Sequence, residues 1–211
     1  MAELPKLEAV PSLGYYPQQP VSCGTTLIAV ECEGGVVLGT DSRTSVGSYI
    51  SSRVTDKITP VTEKLFVCRS GSAADTQAIT DIVKYYISVH EIGEKEKITV
   101  YRAAQIFRQF CYEYRDDMSA SVIVAGYDEV EGAQLYAIPI GGFVVRQRCA
   151  ASGSGSTFVN GFLDSQWKPG MSIAEAEEFV INAVALATMR DGSSGGVIRI
   201  GTLTKDGMQR K

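Results

Sequence analysis

Residues 24–43 read GTTLIAVECEGGVVLGTDSR, with two β-rich runs, TLIAV and VVLGT, on either side of the sequence EGG. Two such runs joined by a glycine-containing turn are typical of a β-hairpin. The preceding residues, 1–24, contain four prolines among polar residues. Because proline fixes φ and removes an amide donor, this segment is predicted to be extended. The folded part of the chain is therefore expected to begin at Thr25.

The remainder of the chain alternates between strand patterns and helical spacing. Strand-like runs lie at 64–69, 121–127, 134–138, 143–146 and 197–203. Apolar residues at helical spacing predict three helices, through Ile79, Ile82, Val83, Tyr86 and Ile87, through Ala103, Ile106, Phe107, Phe110 and Cys111, and through Ala176, Phe179, Val180, Ala183 and Ala187. Ser172 and Glu175 have the spacing of a capping box before the third helix, and a shorter helix is expected after Gly155. This order predicts an α+β fold, a four-layer α-β-β-α sandwich of two antiparallel sheets flanked by helix pairs.

Composition excludes several functional classes. The chain has 211 residues and a net charge of −4, so one domain is expected, with no electrostatic reason to bind nucleic acid or a membrane. The five cysteines are scattered singly, which favours reduced thiols over a disulfide framework. His90 is the sole histidine and is expected at the frayed end of the first helix. No metal or cofactor is expected, and the N-terminus has no signal-peptide pattern.

Histidine is the usual base for serine and cysteine nucleophiles, and with His90 expected at a solvated helix end, a nucleophile needs another base. A free α-amine has a pKa of about 7.7–8.0, well below that of lysine, so a nucleophile at the first position of a chain can use its own amine. Cleavage between Gly24 and Thr25 would place a hydroxyl there. Asp41 and Lys57 follow Thr25, and a buried lysine beside Thr25 would need a carboxylate partner to remain charged. The alternative is that Thr25 merely begins a strand, where threonine is common.

The spacing of Thr25, Asp41 and Lys57 resembles that of proteasome beta subunits, a family of N-terminal nucleophile hydrolases. The likeness extends from about residue 25 to about residue 204 through RSGSAAD at 69–75, SGSGS at 152–156 and RDGSSGG at 190–196. It implies that the Gly71 amide supplies an oxyanion hole and that Ser154 lies near the nucleophile. It also implies that Asp191 and Ser194 hydrogen-bond around the Thr25 amine and hydroxyl.

The resemblance further implies a threonine endopeptidase that needs no cofactor. Residues 1–24 would be a propeptide removed by autocatalytic cleavage of Gly24-Thr25, leaving 25–211 as a single catalytic domain. The precursor, or zymogen, would be inactive. The mature chain would assemble with other proteasome alpha and beta subunits in stacked heptameric rings and degrade unfolded polypeptides in the cytoplasm and nucleus.

Specificity is expected to depend on the pocket beside Thr25. Arg69 stands where the family sets its preference, and a guanidinium there would pair with an acidic side chain. Further substrate-binding positions, by the same likeness, are Thr44, Ser45, Thr55 and Ala73. The sequence is thus most similar to the caspase-like subunit, which cleaves after acidic residues. Two alternatives are a non-catalytic structural subunit of the beta ring and an unrelated amidohydrolase with an N-terminal nucleophile.

Overall fold

The computed structural model describes residues 23–211. The predicted propeptide therefore lies outside the described residues, apart from Cys23 and Gly24. The described strands are β1 (Leu27–Cys32), β2 (Gly35–Thr40), β3 (Thr44–Val46), β4 (Tyr49–Ser52), β5 (Ile58–Thr62), β6 (Leu65–Gly71), β7 (Ala120–Asp128), β8 (Gly132–Ile138), β9 (Val145–Gln147), β10 (Cys149–Ser152), β11 (Arg199–Thr204) and β12 (Gly207–Arg210). The helices are α1 (Ala73–Glu94), α2 (Val100–Glu113), α3 (Asn160–Gln166) and α4 (Ile173–Arg190), and a 3-10 helix (Ser154–Phe158) precedes α3.

The strands form two antiparallel five-stranded sheets and a small separate hairpin. The first sheet has the order β10-β1-β2-β11-β12, the second has the order β5-β6-β7-β8-β9, and β3 pairs with β4. The predicted opening hairpin is confirmed, since β1 pairs with β2 from Leu27 opposite Thr40 to Cys32 opposite Gly35. This hairpin places Thr25 just before β1 and Asp41 just after β2, at the same end of the sheet.

Three apolar layers hold the sandwich together. Side chains between the two sheets include Leu27, Leu38 and Ile123, all at most 1% exposed. One outer layer packs α1 and α2 on the second sheet, with Phe107 fully buried in it. The other packs α3 and α4 on the first sheet, with Val180 fully buried. The predicted four-layer α-β-β-α arrangement with a helix pair on each side is confirmed. Burying such side chains contributes roughly 1.5–3 kcal/mol each.

The helix boundaries are in part those of the sequence pattern. The capping box before α4 is present, because Ser172 accepts from the Glu175 amide and Glu175 accepts from the Ser172 amide. The expected helix end at His90 is wrong, since α1 continues to Glu94 and stops where Lys95 takes a positive φ of 56°. Ile82 and Tyr86, predicted on the apolar face of α1, are 37% and 50% exposed.

The strand boundaries differ most near loops. The run 143–146 becomes a strand only from Val145, because the glycines at 141 and 142 take positive φ and turn the chain. The run 197–203 becomes a strand from Arg199. No disulfide forms among the cysteines of the described residues. Within residues 23–211, no helix has the length and apolar character needed to cross a membrane.

Candidate active site

The hydroxyl of Thr25 is buried against a lysine. Thr25 is 3% exposed, and its Oγ1 accepts from Lys57 Nζ at 3.1 Å while donating to the Cys23 carbonyl oxygen at 3.2 Å. The same Lys57 Nζ donates to the Gly24 carbonyl oxygen at 3.0 Å. One ammonium group thus contacts both the predicted nucleophile and the carbonyl of the predicted cleavage bond.

Asp41 is the carboxylate that accompanies this lysine. Lys57 Nζ lies 2.6 Å from Asp41 Oδ1, and the two side chains are 6% and 0% exposed. The carboxylate also accepts from the amides of Thr26 and Gly195, each at 3.0 Å, and of Arg43 at 3.2 Å. Burial lowers the pKa of Lys57, and the negative charge of Asp41 opposes that shift. A buried carboxylate with this many donors holds the lysine in one position.

A second group of polar side chains surrounds the Thr25 nitrogen. That nitrogen is an amide in the intact chain and donates to Ser154 Oγ at 3.1 Å. Ser154 Oγ donates to Asp191 Oδ2 at 2.7 Å, and Ser194 Oγ donates to the same oxygen at 2.5 Å. Burial alone would raise the pKa of Asp191. The hydrogen bonds from Ser154, Ser194 and the Ser193 amide together lower it by more, so the pKa of Asp191 lies below its ordinary value.

These contacts differ in detail from those that the resemblance implies. In the described residues, Asp191 and Ser194 reach Thr25 indirectly: Ser154 lies between Asp191 and the Thr25 nitrogen, and Ser194 accepts from Thr26 Oγ1 at 2.8 Å. The reason is that the amide of Thr25 has one hydrogen, and Ser154 already accepts it. Direct contacts would require the additional hydrogens of a free amine.

Gly71 closes the other side of the site. Its φ is +106°, and a Cβ at this position would lie 2.3 Å from the Ser119 carbonyl oxygen, so only glycine fits without a backbone shift. The Gly71 carbonyl oxygen accepts from the Cys23 amide at 3.3 Å, and the two residues form an isolated antiparallel bridge. The last residues before Thr25 therefore lie along Gly71 as an added strand would. The role of the Gly71 amide as an oxyanion donor stays a prediction.

A cavity of about 40 Å³ lies beside Thr25 and Cys23, and four of the five predicted substrate-binding residues line it: Thr44, Thr55, Arg69 and Ala73. The fifth, Ser45, is buried and accepts from the Gly24 amide at 3.3 Å. Arg69 is half-buried, and its Nε donates to Thr59 Oγ1 at 3.0 Å. The structure thus brings every predicted site residue to one end of the sandwich.

Sequence reasoning missed several residues of this region. Asp56 lines the cavity next to Lys57, and Thr59 holds Arg69. A cluster of three hydroxyls joins the two sheets beneath the site, where Ser152 contacts Ser70 at 3.0 Å and Ser121 at 2.9 Å. Asp56 could have been suspected from its charge beside Lys57. The serine cluster had no sequence signal, because its members come from three separate strands.

This layered α+β fold, with a buried threonine, lysine and aspartate at the end of the first hairpin, is that of the N-terminal nucleophile hydrolases. The chain belongs to the proteasome beta subunit family, and it is a subunit of the proteasome core that assembles with other proteasome subunits. The family model described as "Proteasome subunit" matches residues 21–203.

Named relatives agree with this assignment. The chain is 50% identical to proteasome subunit beta type-6 of Dictyostelium discoideum, over 90% of this chain and 89% of the relative. It is 49% identical to the probable proteasome subunit beta type-1 of Schizosaccharomyces pombe, over 90% and 84%. It is 47% identical to proteasome subunit beta type-9 of Homo sapiens, over 90% and 87%. These alignments cover most of each chain.

Proposed function

We propose that this subunit is an active threonine endopeptidase whose nucleophile is Thr25, exposed when the bond between Gly24 and Thr25 is cut. The observation that carries this proposal is the position of Lys57, whose ammonium lies 3.1 Å from Thr25 Oγ1 and 3.0 Å from the Gly24 carbonyl oxygen. A positive charge there stabilises both a deprotonating hydroxyl and the oxyanion that forms during cleavage of that bond.

The proposed reaction uses the nitrogen of Thr25 as its base. Once freed, the amine takes the proton of the Thr25 hydroxyl, directly or through water, and the oxygen attacks the substrate carbonyl carbon. The peptide C–N bond then breaks, the amine proton passes to the leaving nitrogen, and an ester to Thr25 remains. Water hydrolyses that ester and restores the hydroxyl. The Gly71 amide is proposed to hold the oxyanion, and Ser154 and Asp191 to orient the amine.

The proposed specificity is cleavage after acidic residues. Arg69 presents a half-buried guanidinium to the cavity beside Thr25, and such a group favours a carboxylate and disfavours an apolar side chain, because its own charge would be left unpaired. Thr44 and Thr55, hydrogen-bonded to each other at 2.7 Å, add polar character. Caspase-like activity follows as the proposed subtype.

The remaining expectations complete the proposal. Residues 1–24 act as a propeptide, and the precursor is inactive because an amide nitrogen cannot accept a proton. The mature subunit is proposed to take part in stacked heptameric rings of alpha and beta subunits, and to degrade unfolded polypeptides in the cytoplasm and nucleus. These statements rest on the family to which the chain belongs and on the position of Gly24 and Thr25.

The test is the N-terminus of the chain in the assembled particle, determined by intact mass and terminal sequencing, with Thr25→Ala and Thr25→Ser variants. We expect the native chain to begin at Thr25, the serine variant to retain processing because it keeps the hydroxyl, and the alanine variant to keep its leader. The processed particle should cleave a peptide after glutamate or aspartate. A native chain that retains residues 1–24 after assembly would instead support the structural-subunit alternative.

A further inference from the structure

The charged groups around Arg69 extend to the last strand of the chain. Asp56 lines the same cavity as Arg69, and its Oδ2 forms an ion pair with the guanidinium of Arg210 on β12. Both side chains of this pair are 43% exposed. Arg210 also donates to the Ile58 carbonyl oxygen at 2.6 Å. A residue of the first sheet therefore neutralises a carboxylate at the edge of the candidate substrate pocket.

The guanidinium of Arg69 is fixed on one side and available on the other. Its Nε donates to Thr59 Oγ1. Within residues 23–211, the two terminal nitrogens of the guanidinium make no hydrogen bond or ion pair. Burial lowers the pKa of Arg69, while the negative charges of Asp81 and Asp56 raise it. Asp56 lines the same cavity and acts on Arg69 electrostatically. The charges around Arg69 therefore affect how strongly an anion binds in this cavity.

We propose that Arg210 is a specificity-determining residue: by pairing with Asp56, it prevents that carboxylate from competing with an acidic substrate side chain for Arg69. Without Arg210, Asp56 would keep only the hydrogen bond that its Oδ1 accepts from the Ile58 amide at 3.0 Å. The negative charge of its Oδ2 would then be unpaired, and it would act on Arg69 and repel an incoming carboxylate. The negative charge of Asp81 on α1 acts on Arg69 equally with and without Arg210. This inference rests on the proposed function and deepens it, since it concerns the strength of the acidic preference at the same site.

The experiment compares assembled particles that contain the wild-type chain, Arg210→Gln, Asp56→Asn or both substitutions. The readout is the ratio of kcat/KM for a peptide cleaved after glutamate to that for a peptide cleaved after leucine, with the background of other subunits subtracted by a Thr25→Ala particle. For a partly exposed charge, Arg210→Gln should lower this ratio roughly two- to fivefold. The loss should appear in KM for the acidic peptide and should shrink at high salt.

The double variant separates charge from structure. Asp56→Asn added to Arg210→Gln should restore the ratio, although the hydrogen bond from Arg210 to Ile58 is still missing. The matched control is Arg146→Gln, which breaks an ion pair with Glu131 of similar exposure, 45% and 51%, on the strand at the opposite edge of the second sheet. It should leave the ratio unchanged.

The outcomes distinguish the inference from the function on which it rests. A wild-type particle that prefers the acidic peptide, with no change in Arg210→Gln, would overturn the role of Arg210 alone. Failure of Asp56→Asn to restore the ratio would do the same, because the loss would then come from the missing hydrogen bond. A wild-type particle with no post-acidic cleavage by this subunit would overturn both the proposed specificity and the inference.

Discussion

Gly24 packs directly against the loop that holds Asp191 and Ser194, and alanine at this position would disturb the precursor alone. A Cβ on Gly24 would lie 2.1 Å from Ser193 Cβ and 2.4 Å from the Ser193 carbonyl oxygen. Carbon atoms normally approach to about 3.5–4.0 Å, so the loop or the Gly24 backbone must move by more than about one ångström. Since Asp191 starts this loop, the displacement should reach the hydrogen bond to Ser154.

The size of the effect can be estimated from overpacking. Inserting a methyl group into a filled space costs about 1–3 kcal/mol. If this strain appears in the activation free energy of cleavage between Gly24 and Thr25, processing should slow roughly 5- to 150-fold, at about 1.36 kcal/mol per tenfold change in rate. Chains that are eventually processed lose residue 24, so the mature Gly24→Ala enzyme should have the wild-type kcat and KM.

The assay is a time course of intact mass for the subunit during assembly. Gly192→Ala is the matched control, because a Cβ at this position in the same loop has no atom within 4 Å, and it should be processed at the wild-type rate. Ser193→Gly added to Gly24→Ala removes the nearest clash but leaves the carbonyl, so it should recover part of the rate. Processing of Gly24→Ala as fast as wild type, or of Gly192→Ala as slowly as Gly24→Ala, would refute the steric explanation.

Three further predictions concern stability and pH. Lys57→Met leaves the buried Asp41 carboxylate without its cation, which should cost about 3–5 kcal/mol; adding Asp41→Asn should recover part of the thermal stability of the particle, whereas intact mass should still show the unprocessed chain. The folded-state pKa of Asp191 lies below its ordinary value of 3.8. The ionised Asp191 carboxylate therefore stabilises the folded chain fully above pH 3.8, and this contribution is lost as pH falls through the folded-state pKa. Melting temperatures measured against pH should accordingly fall less steeply in acid for Asp191→Asn than for the wild-type chain. Ser172→Ala removes the cap of α4 and should cost about 0.5–2 kcal/mol, measured as faster hydrogen exchange of the first-turn amides in the assembled particle, whereas unchanged exchange would contradict the role of this cap.

Hydrophobic periodicity in the sequence was sufficient to predict the four layers of the fold, but it did not predict where every helix and strand begins and ends. The opening hairpin and α4 were predictable, because each combines a hydrophobic pattern with a local signal, a glycine turn or a capping box. The end of α1 was not, since the helix continues past His90 to Glu94 and includes Gly93, although glycine disfavours a helix interior. Strand β12 was missed because a four-residue edge strand, with two exposed residues, has little hydrophobic pattern.

Some residues of the candidate site could also be predicted from the sequence, whereas others depend on contacts between distant segments of the chain. Thr25, Asp41 and Lys57 were recognisable because their spacing resembles that of proteasome beta subunits, and the hairpin of β1 and β2 brings Thr25 and Asp41 to the same end of the sheet. The position of Ser154 between Asp191 and the Thr25 nitrogen depends on how a loop of the first sheet meets the end of α4. The pair of Asp56 and Arg210 joins residues 154 positions apart, and only the packing of one sheet on the other brings them together.

The geometry of the intact chain bears on what cleavage must accomplish. Thr25 Oγ1, Lys57 and Asp41 are already in contact, and Ser154 already holds the Thr25 nitrogen, so no rearrangement of these groups is needed. On the proposed mechanism, cutting the bond after Gly24 changes an amide into an amine with a pKa near neutrality. The same cut removes the covalent link that holds Cys23 at its bridge to Gly71, so the released segment can leave the position where a substrate strand would pair. On this proposal, one hydrolysis creates the base and allows the substrate site to open, so a precursor can have a formed site and still be inactive.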